Sequence, residues 1–227
     1  MKIESLTDMA KRYLENWIVT ESLKPGQQIK EDEIASKLEI SRPPVREAFK
    51  ALESEGLVIR KPRRGVFVVE MSKADVIEVY MLKANLYAMA TELALEHITG
   101  EQLEELGDLV QKMEECIHVE GSDILNYQKF HRKFHIRIMD IAGNRRLEIM
   151  ASNLHKQIQR FSYQTLHDKN HLTGSLKYHK KIVEKFLERD TKNACKIMKE
   201  HVLDAMNFLI KVPGIFDSTL TKELRVS

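Results

Sequence analysis

The sequence predicts a mainly α-helical chain, with an N-terminal winged helix-turn-helix and a C-terminal all-α helical bundle. Three observations carry this expectation. Between Glu31 and Glu70, two short helical patterns, a tight break and two β-prone runs follow one another directly. After Glu70 the texture turns helical, with no strand candidate of any strength to the end. The helical stretches there are separated by capping residues and glycines, as consecutive helices of a bundle would be.

The elements follow in order. Leu6, Met9, Ala10, Tyr13, Leu14, Trp17 and Ile18 keep a helical period, so residues 5–20 form a helix that packs behind the helix-turn-helix. Lys24-Pro25-Gly26 is a turn. Glu31 to Leu38 is a short helix, broken at Glu39–Ile40, and a second helix starts at Ser41. Ser41 is expected to cap it, with Pro43 and Pro44 in the first turn, where a missing N–H leaves no bond unmade. Val45, Ala48, Phe49 and Leu52 form its apolar stripe, and Arg42, Arg46 and Lys50 recur every four residues beside it. Gly56 stops the helix. Leu57–Arg60 and Val66–Val69 then flank the basic turn Lys61-Pro62-Arg63-Arg64-Gly65.

The domain boundary is placed at Met71–Ser72, giving a first domain over 1–71, a second over 72–212 and a tail over 213–227. Ser72-Lys73-Ala74-Asp75 opens a helix to about Ile98, and Thr99-Gly100-Glu101-Gln102 opens one to about His118. Gly121-Ser122-Asp123 breaks the chain. Helices then run over Ile124–Ala142, Arg145–Leu166, Leu172–Arg189 and Thr191–Lys211, which makes about six in the bundle.

Composition bounds the function. The 227 residues are 43% hydrophobic and 31% charged, with a net charge of only +2. The global balance does not point to nucleic acid; the local balance does. Residues 40–70 hold seven Lys or Arg against four Glu, and Arg60 to Arg64 carry four of those positive charges on one turn. Such a second helix suits the major groove of duplex DNA, with Arg42 and Arg46 toward base edges and phosphates. Gly65 lets the wing backbone approach the sugar-phosphate closely. Cys116 and Cys195 stand in helical patterns without a motif, and no apolar run nears the ~20 residues needed to span a bilayer. The chain therefore reads as cytoplasmic, with reduced thiols and no membrane partner.

Four of the nine histidines stand out. His131 and His135 are one helical turn apart on an apolar face. His179 and His201 lie symmetrically about the Asp190-Thr191 turn, each about 16 Å from it along an antiparallel helix pair. All four imidazoles can converge inside one bundle. Three or four such nitrogens make a transition-metal site. The other five, His97, His118, His155, His167 and His171, read as surface or structural.

Leu23-Lys24-Pro25-Gly26, Ile34-Ala35, Ser41-Arg42-Pro43-Pro44-Val45-Arg46-Glu47-Ala48, Glu55-Gly56-Leu57-Val58 and Arg64-Gly65 resemble the N-terminal domain of GntR-type bacterial transcription regulators. The resemblance covers about Ile3 to Glu70 and implies a short strand near Gln28–Ile29. It also implies DNA contacts from Arg42, Arg46, Arg64 and Gly65, which with Ser41, Lys50 and Arg63 make up the candidate DNA-binding set. Some members carry an arginine early in the preceding helix, where this chain has Asp32.

Phe134-His135, Ala142-Gly143-Asn144, His179 with Asp190 and then His201 are similar to the FCD effector domain of the FadR-like branch, over about 72–211. The resemblance implies a metal, held in many members by one Asp and three His, and a small carboxylate bound at its open positions. His131 stands at the Asp position, which favours zinc or nickel over a hard cation. Lys83 aligns with an Arg that helps hold the carboxylate, and Arg137 and Arg160 are possible substitutes.

The leading expectation is a homodimeric, sequence-specific DNA-binding regulator, which the resemblance implies is a repressor. It reads a palindromic operator and is controlled by a small organic acid at a metal site on His131, His135, His179 and His201. The alternatives are a metal-dependent enzyme with a DNA-binding appendage and a metal-free structural dimerisation bundle.

Overall fold

The computed structural model describes residues 4–118, 123–165 and 168–216. The expected break at Gly121-Ser122, the helix end at Leu166, His167 and the tail from 217 on lie outside them. The described chain forms two compact units. One holds the residues up to Ser72 together with His155–Arg160, and the other holds Lys73–Leu154 and the chain from Phe161 on.

The first unit runs α1 (Leu6–Val19), β1 (Gln28–Ile29), α2 (Glu31–Leu38), α3 (Arg42–Ser54), β2 (Val58–Lys61) and β3 (Gly65–Val68). The strands form an antiparallel sheet in the order β1-β3-β2, with Val58 opposite Val68 and Lys61 opposite Gly65. That register makes Lys61 and Gly65 the last paired residues of the hairpin and leaves Pro62, Arg63 and Arg64 as its tip. Val45, Ala48, Phe49 and Leu52 of α3 meet Ala10, Leu14 and Ile18 of α1 in the core. The stripes join because both keep a helical period on one face.

One local expectation fails. Ser41 occupies the N-cap position of α3 with extended backbone, but its side chain makes no capping bond. A capping hydroxyl accepts from the N–H of the second or third helical residue. Those residues are Pro43 and Pro44, which have none. Their fixed φ starts the helix instead, and the Ser41 hydroxyl is not used for capping.

The second unit contains α4 (Lys73–His97), α5 (Gly100–His118), α6 (Ile124–Ala142), α7 (Arg145–Thr165), α8 (Lys169–Leu187) and α9 (Thr191–Leu209). No strand occurs in it among the described residues. Helix α4 packs on α6 and α9, α5 on α6 and α8, and α8 on α9. The starts are set by capping. Thr99 and Gln102 form a reciprocal box, with Gln102 N–H donating to Thr99 Oγ1 at 3.2 Å and Thr99 N–H to Gln102 Oε1 at 3.0 Å. Asp123, Asp168 and Asp190 each accept a backbone N–H three residues on. Asp168 starts α8 at Lys169, earlier than the expected Leu172. Gly143 closes α6 at φ 64°, and the chain turns from α8 to α9 through Arg189 at φ 56°.

Candidate metal centre and nucleic-acid interface

The second unit brings His131, His135, His179 and His201 to one point. His131 and His135 sit one turn apart on α6. Facing them, His179 on α8 and His201 on α9 stand at matching height, because those helices are antiparallel about Asp190. Every pair of the four rings has centroids between 4.4 and 5.7 Å apart. One nitrogen from each ring can be chosen so that all four lie within 4.8 Å of one another.

Hydrogen bonding shows what these rings can accept. His179 Nδ1 is 2.7 Å from the Ser175 carbonyl, so Nδ1 carries the proton and Nε2 keeps its lone pair. His179 Nε2 lies 3.2 Å from His135 Nε2. If His135 donates there, its buried Nδ1 remains an unpaired acceptor. If it does not, two lone pairs face each other. A cation between the two Nε2 atoms takes both lone pairs at once. Nitrogens about 2.0–2.1 Å from a tetrahedral zinc stand about 3.3 Å apart, close to the observed spacing. Burial also keeps the rings in the neutral form that ligation needs. It lowers the His179 pKa to about 4, and it drives His135 and His201 well below the usual imidazole value, with neighbouring rings adding to the effect. The residues therefore fit a borderline divalent metal.

A cavity of about 40 Å³ opens beside the cluster, lined by His131, His135 and His201 and by Lys83, His171 and Ser175. Lys83 is 7% exposed, and burial lowers its pKa to about 8. Among the described residues, none that lines it is acidic. Arg137 does not join them. It follows His135 by two residues, which turns it about 200° around α6, and both its Nε and Nη2 lie 2.6 Å from Glu105 on α5. Arg160 does not line the cavity either. His171 does, against expectation. Its N–H is capped by Asp168, its ring stacks on Phe208 at 4.4 Å, and it is 8% exposed. The signal for it was the spacing His171, Ser175, His179, which lies on one face once α8 is started at Asp168.

In the first unit, Ser41, Arg42, Arg46 and Lys50 lie along the exposed side of α3, and Arg63, Arg64 and Gly65 lie at the hairpin. Arg63 takes φ 59° and Gly65 φ 96°. The Arg64 carbonyl accepts from Gln28 Nε2 at 2.7 Å, which ties the tip to β1. A Cβ on Gly65 would come within 3.1 Å of that same amide nitrogen. Lys50 pairs with Glu47 of its own helix at 2.8 Å. Arg42 and Arg46 pair instead with α2. Arg42 Nε is 2.8 Å from Asp32 Oδ1, and Arg46 Nη2 is 2.9 Å from Glu31 Oε2. The hydrogen bond from Arg46 holds the Glu31 carboxyl below its usual pKa. These two acidic partners were not expected from the sequence.

Residues 6–68 match the model of the bacterial regulatory proteins of the gntR family, and residues 78–204 match the FCD domain. This chain belongs to the GntR family, in its FCD-domain class. It is thus a DNA-binding transcriptional regulator of GntR/FCD type, and the family is one of regulators rather than enzymes. Among its relatives, the HTH-type transcriptional regulator YdhC of Bacillus subtilis (strain 168) is 27% identical over 194 residues, spanning 86% of this chain and 84% of YdhC. The HTH-type transcriptional repressor GlaR of Escherichia coli (strain K12) is 25% identical over 199 residues, spanning 85% and 90%. The solved structure of E. coli McbR/YncC shares the fold at TM-score 0.77 and 23% identity, over 91% of this chain and 98% of that one.

Proposed function

We propose that this GntR/FCD regulator is a homodimeric repressor that binds a palindromic operator and is released by a small organic acid held at a metal centre. His131, His135, His179 and His201 hold zinc or nickel, and Lys83 attracts the acid's carboxylate. Ser41, Arg42, Arg46, Lys50, Arg63, Arg64 and Gly65 form the face toward DNA. The single observation that carries the metal reading is the approach of the two Nε2 atoms of His135 and His179 to 3.2 Å, with the His179 proton committed to Ser175.

The charge balance supports an anionic ligand. Four neutral imidazoles leave a bound dication with its full charge, and Lys83 adds to it in a cavity whose described lining residues include no acid. A carboxylate offsets both. The metal polarises and orients such a ligand when bound. Lys83 binds as a point charge, and His171 and Ser175 offer hydrogen bonds. A single winged helix contacts too few base pairs for good discrimination, whereas two read a palindrome.

The test has two parts. Metal analysis of the purified protein and of its His179→Ala and His201→Ala variants should show about one ion per chain in the wild type and a loss in both variants. Unchanged content in the variants would overturn the four-histidine centre. In gel-shift titrations on duplexes selected from a random pool, the metal-loaded wild type should prefer its selected sequences. A panel of small mono- and dicarboxylates should include one that lowers operator affinity only when metal is present. If none shifts affinity in the loaded protein, the effector reading fails.

A further inference from the structure

The two arginines at the front of α3 are not presented as open charges. Asp32 Oδ1 lies 2.8 Å from Arg42 Nε as an ion pair, and the Glu31 carboxylate accepts hydrogen bonds from Nε and Nη2 of Arg46 at 3.2 and 2.9 Å. Both acids stand in the first turn of α2. Arg42 and Asp32 are more than 60% exposed, at 64% and 62%. A pair this exposed contributes little to stability, so folding gives no reason for it. It also works against general attraction to DNA. From Glu31 to Lys50 there are five acidic residues and four basic ones, so the helix-turn-helix itself has no positive excess to offer phosphates. The excess sits on the wing, at Arg60, Lys61, Arg63 and Arg64.

A carboxylate paired with Nε alone, as on Arg42, leaves the N–H groups of both Nη atoms available as a fork. That fork matches the O6 and N7 acceptors of guanine in the major groove. We propose that Asp32 is a specificity-determining positioning residue, which holds Arg42 so that its Nη edge is offered to a guanine in each operator half-site. The inference rests on the DNA-reading face proposed above. Asp32 does not have to touch DNA. It removes the rotamer freedom that Arg42 would otherwise lose on binding, and it screens the arginine from non-specific phosphates. Its carboxylate therefore lowers affinity for any sequence and raises the preference for one.

The experiment uses the full chain and duplexes selected by the wild type from a random pool. Affinities for a selected duplex and for a random duplex of equal length are measured for wild type, Asp32→Asn and Asp32→Glu, at two salt concentrations. Asp32→Asn should bind the random duplex as tightly as wild type or more tightly, while its preference for the selected duplex falls about ten-fold. The loss should concentrate at one guanine per half-site. Replacing that guanine by 7-deazaguanine should weaken the wild type and leave Asp32→Asn almost unchanged. Asp32→Glu, which keeps the charge, should restore part of the preference. Circular dichroism and melting should be the same for all three proteins, as expected for an exposed position. The proposal is overturned if Asp32→Asn keeps full discrimination at every position, or if its loss is spread evenly over the site. A wild type that selects no sequence overturns this proposal together with the DNA-reading face, whereas normal selection with an indifferent Asp32→Asn sinks the positioning role alone.

Discussion

Replacing His179 by Leu separates a metal centre from a merely buried histidine. Leucine is close in volume to imidazole, so the substitution leaves little cavity, but it removes both nitrogens. Without metal, the variant loses the hydrogen bond from Nδ1 to the Ser175 carbonyl at 2.7 Å and the contact of Nε2 with His135 Nε2 at 3.2 Å. Such a bond contributes about 0.5–1.5 kcal/mol net. The loss is offset in part because an apolar group now fills a fully buried position. In chelator, wild type and variant should therefore unfold within about 2 kcal/mol of each other. With zinc or nickel in excess the two should part. At one hundred times its dissociation constant, an ion stabilises the folded state by about 2.7 kcal/mol. For a transition of this size that is roughly 5–10 °C. The variant keeps three donors, loses the best-oriented one, and should gain much less at the same ion concentration. Scanning calorimetry with and without chelator reads both effects. An equal gain in the two proteins would refute the reasoning, since the ion would then bind elsewhere. No gain in the wild type would refute the centre outright.

Further expectations follow from the same geometry. Metal-free protein should lose stability on acidification, because the His179 pKa is about 4 folded against 6.5 unfolded. The unfolded chain takes up the extra proton in that window, so stability is full above pH 6.5 and falls toward pH 4, by about 3 kcal/mol from this group; urea titrations at pH 7 and pH 4.5 check the sign. Lys83→Met should leave metal content unchanged and weaken binding of the active carboxylate about ten- to a hundred-fold, measured by calorimetric titration of the loaded protein. Phe49→Ala empties a fully buried site in the α1–α3 core and should cost about 3–5 kcal/mol, visible as a lower urea midpoint for the first unit. Gly65→Ala forces a Cβ onto φ 96° and against Gln28, costing about 1 kcal/mol or more; a gel shift should show weaker binding to all duplexes, as expected for a displaced wing.

Much of the architecture could be read directly from residue spacing. The apolar stripe of α3, the break at Glu39–Ile40 and the hairpin around Lys61–Gly65 are local patterns, and local patterns report helix faces and turns. The histidine cluster was legible for the same reason. An i, i+4 pair shares a face, and two positions equidistant from a tight helical turn share a height. The missing cap at Ser41 was also present in the sequence, since two prolines supply no N–H. The 200° between His135 and Arg137 likewise argued against Arg137 joining the histidines.

Other features depended on which face of each helix meets which neighbour, and spacing along one helix does not contain that. Lys83 could have pointed to water from α4; packing of α4 on α6 and α9 turned it inward beside the imidazoles. His171 reached the cavity because Asp168 extended α8 by a turn and Phe208 of α9 closed over its ring. Asp32 met Arg42 only because α2 packs on α3 and brings the two side chains within reach of each other. The amino-acid order by itself determined most of the elements, their faces and the grouping of the four imidazoles. The packed structure decided the rotation of each helix about its own axis, because that rotation minimises exposed apolar area over all neighbours at once.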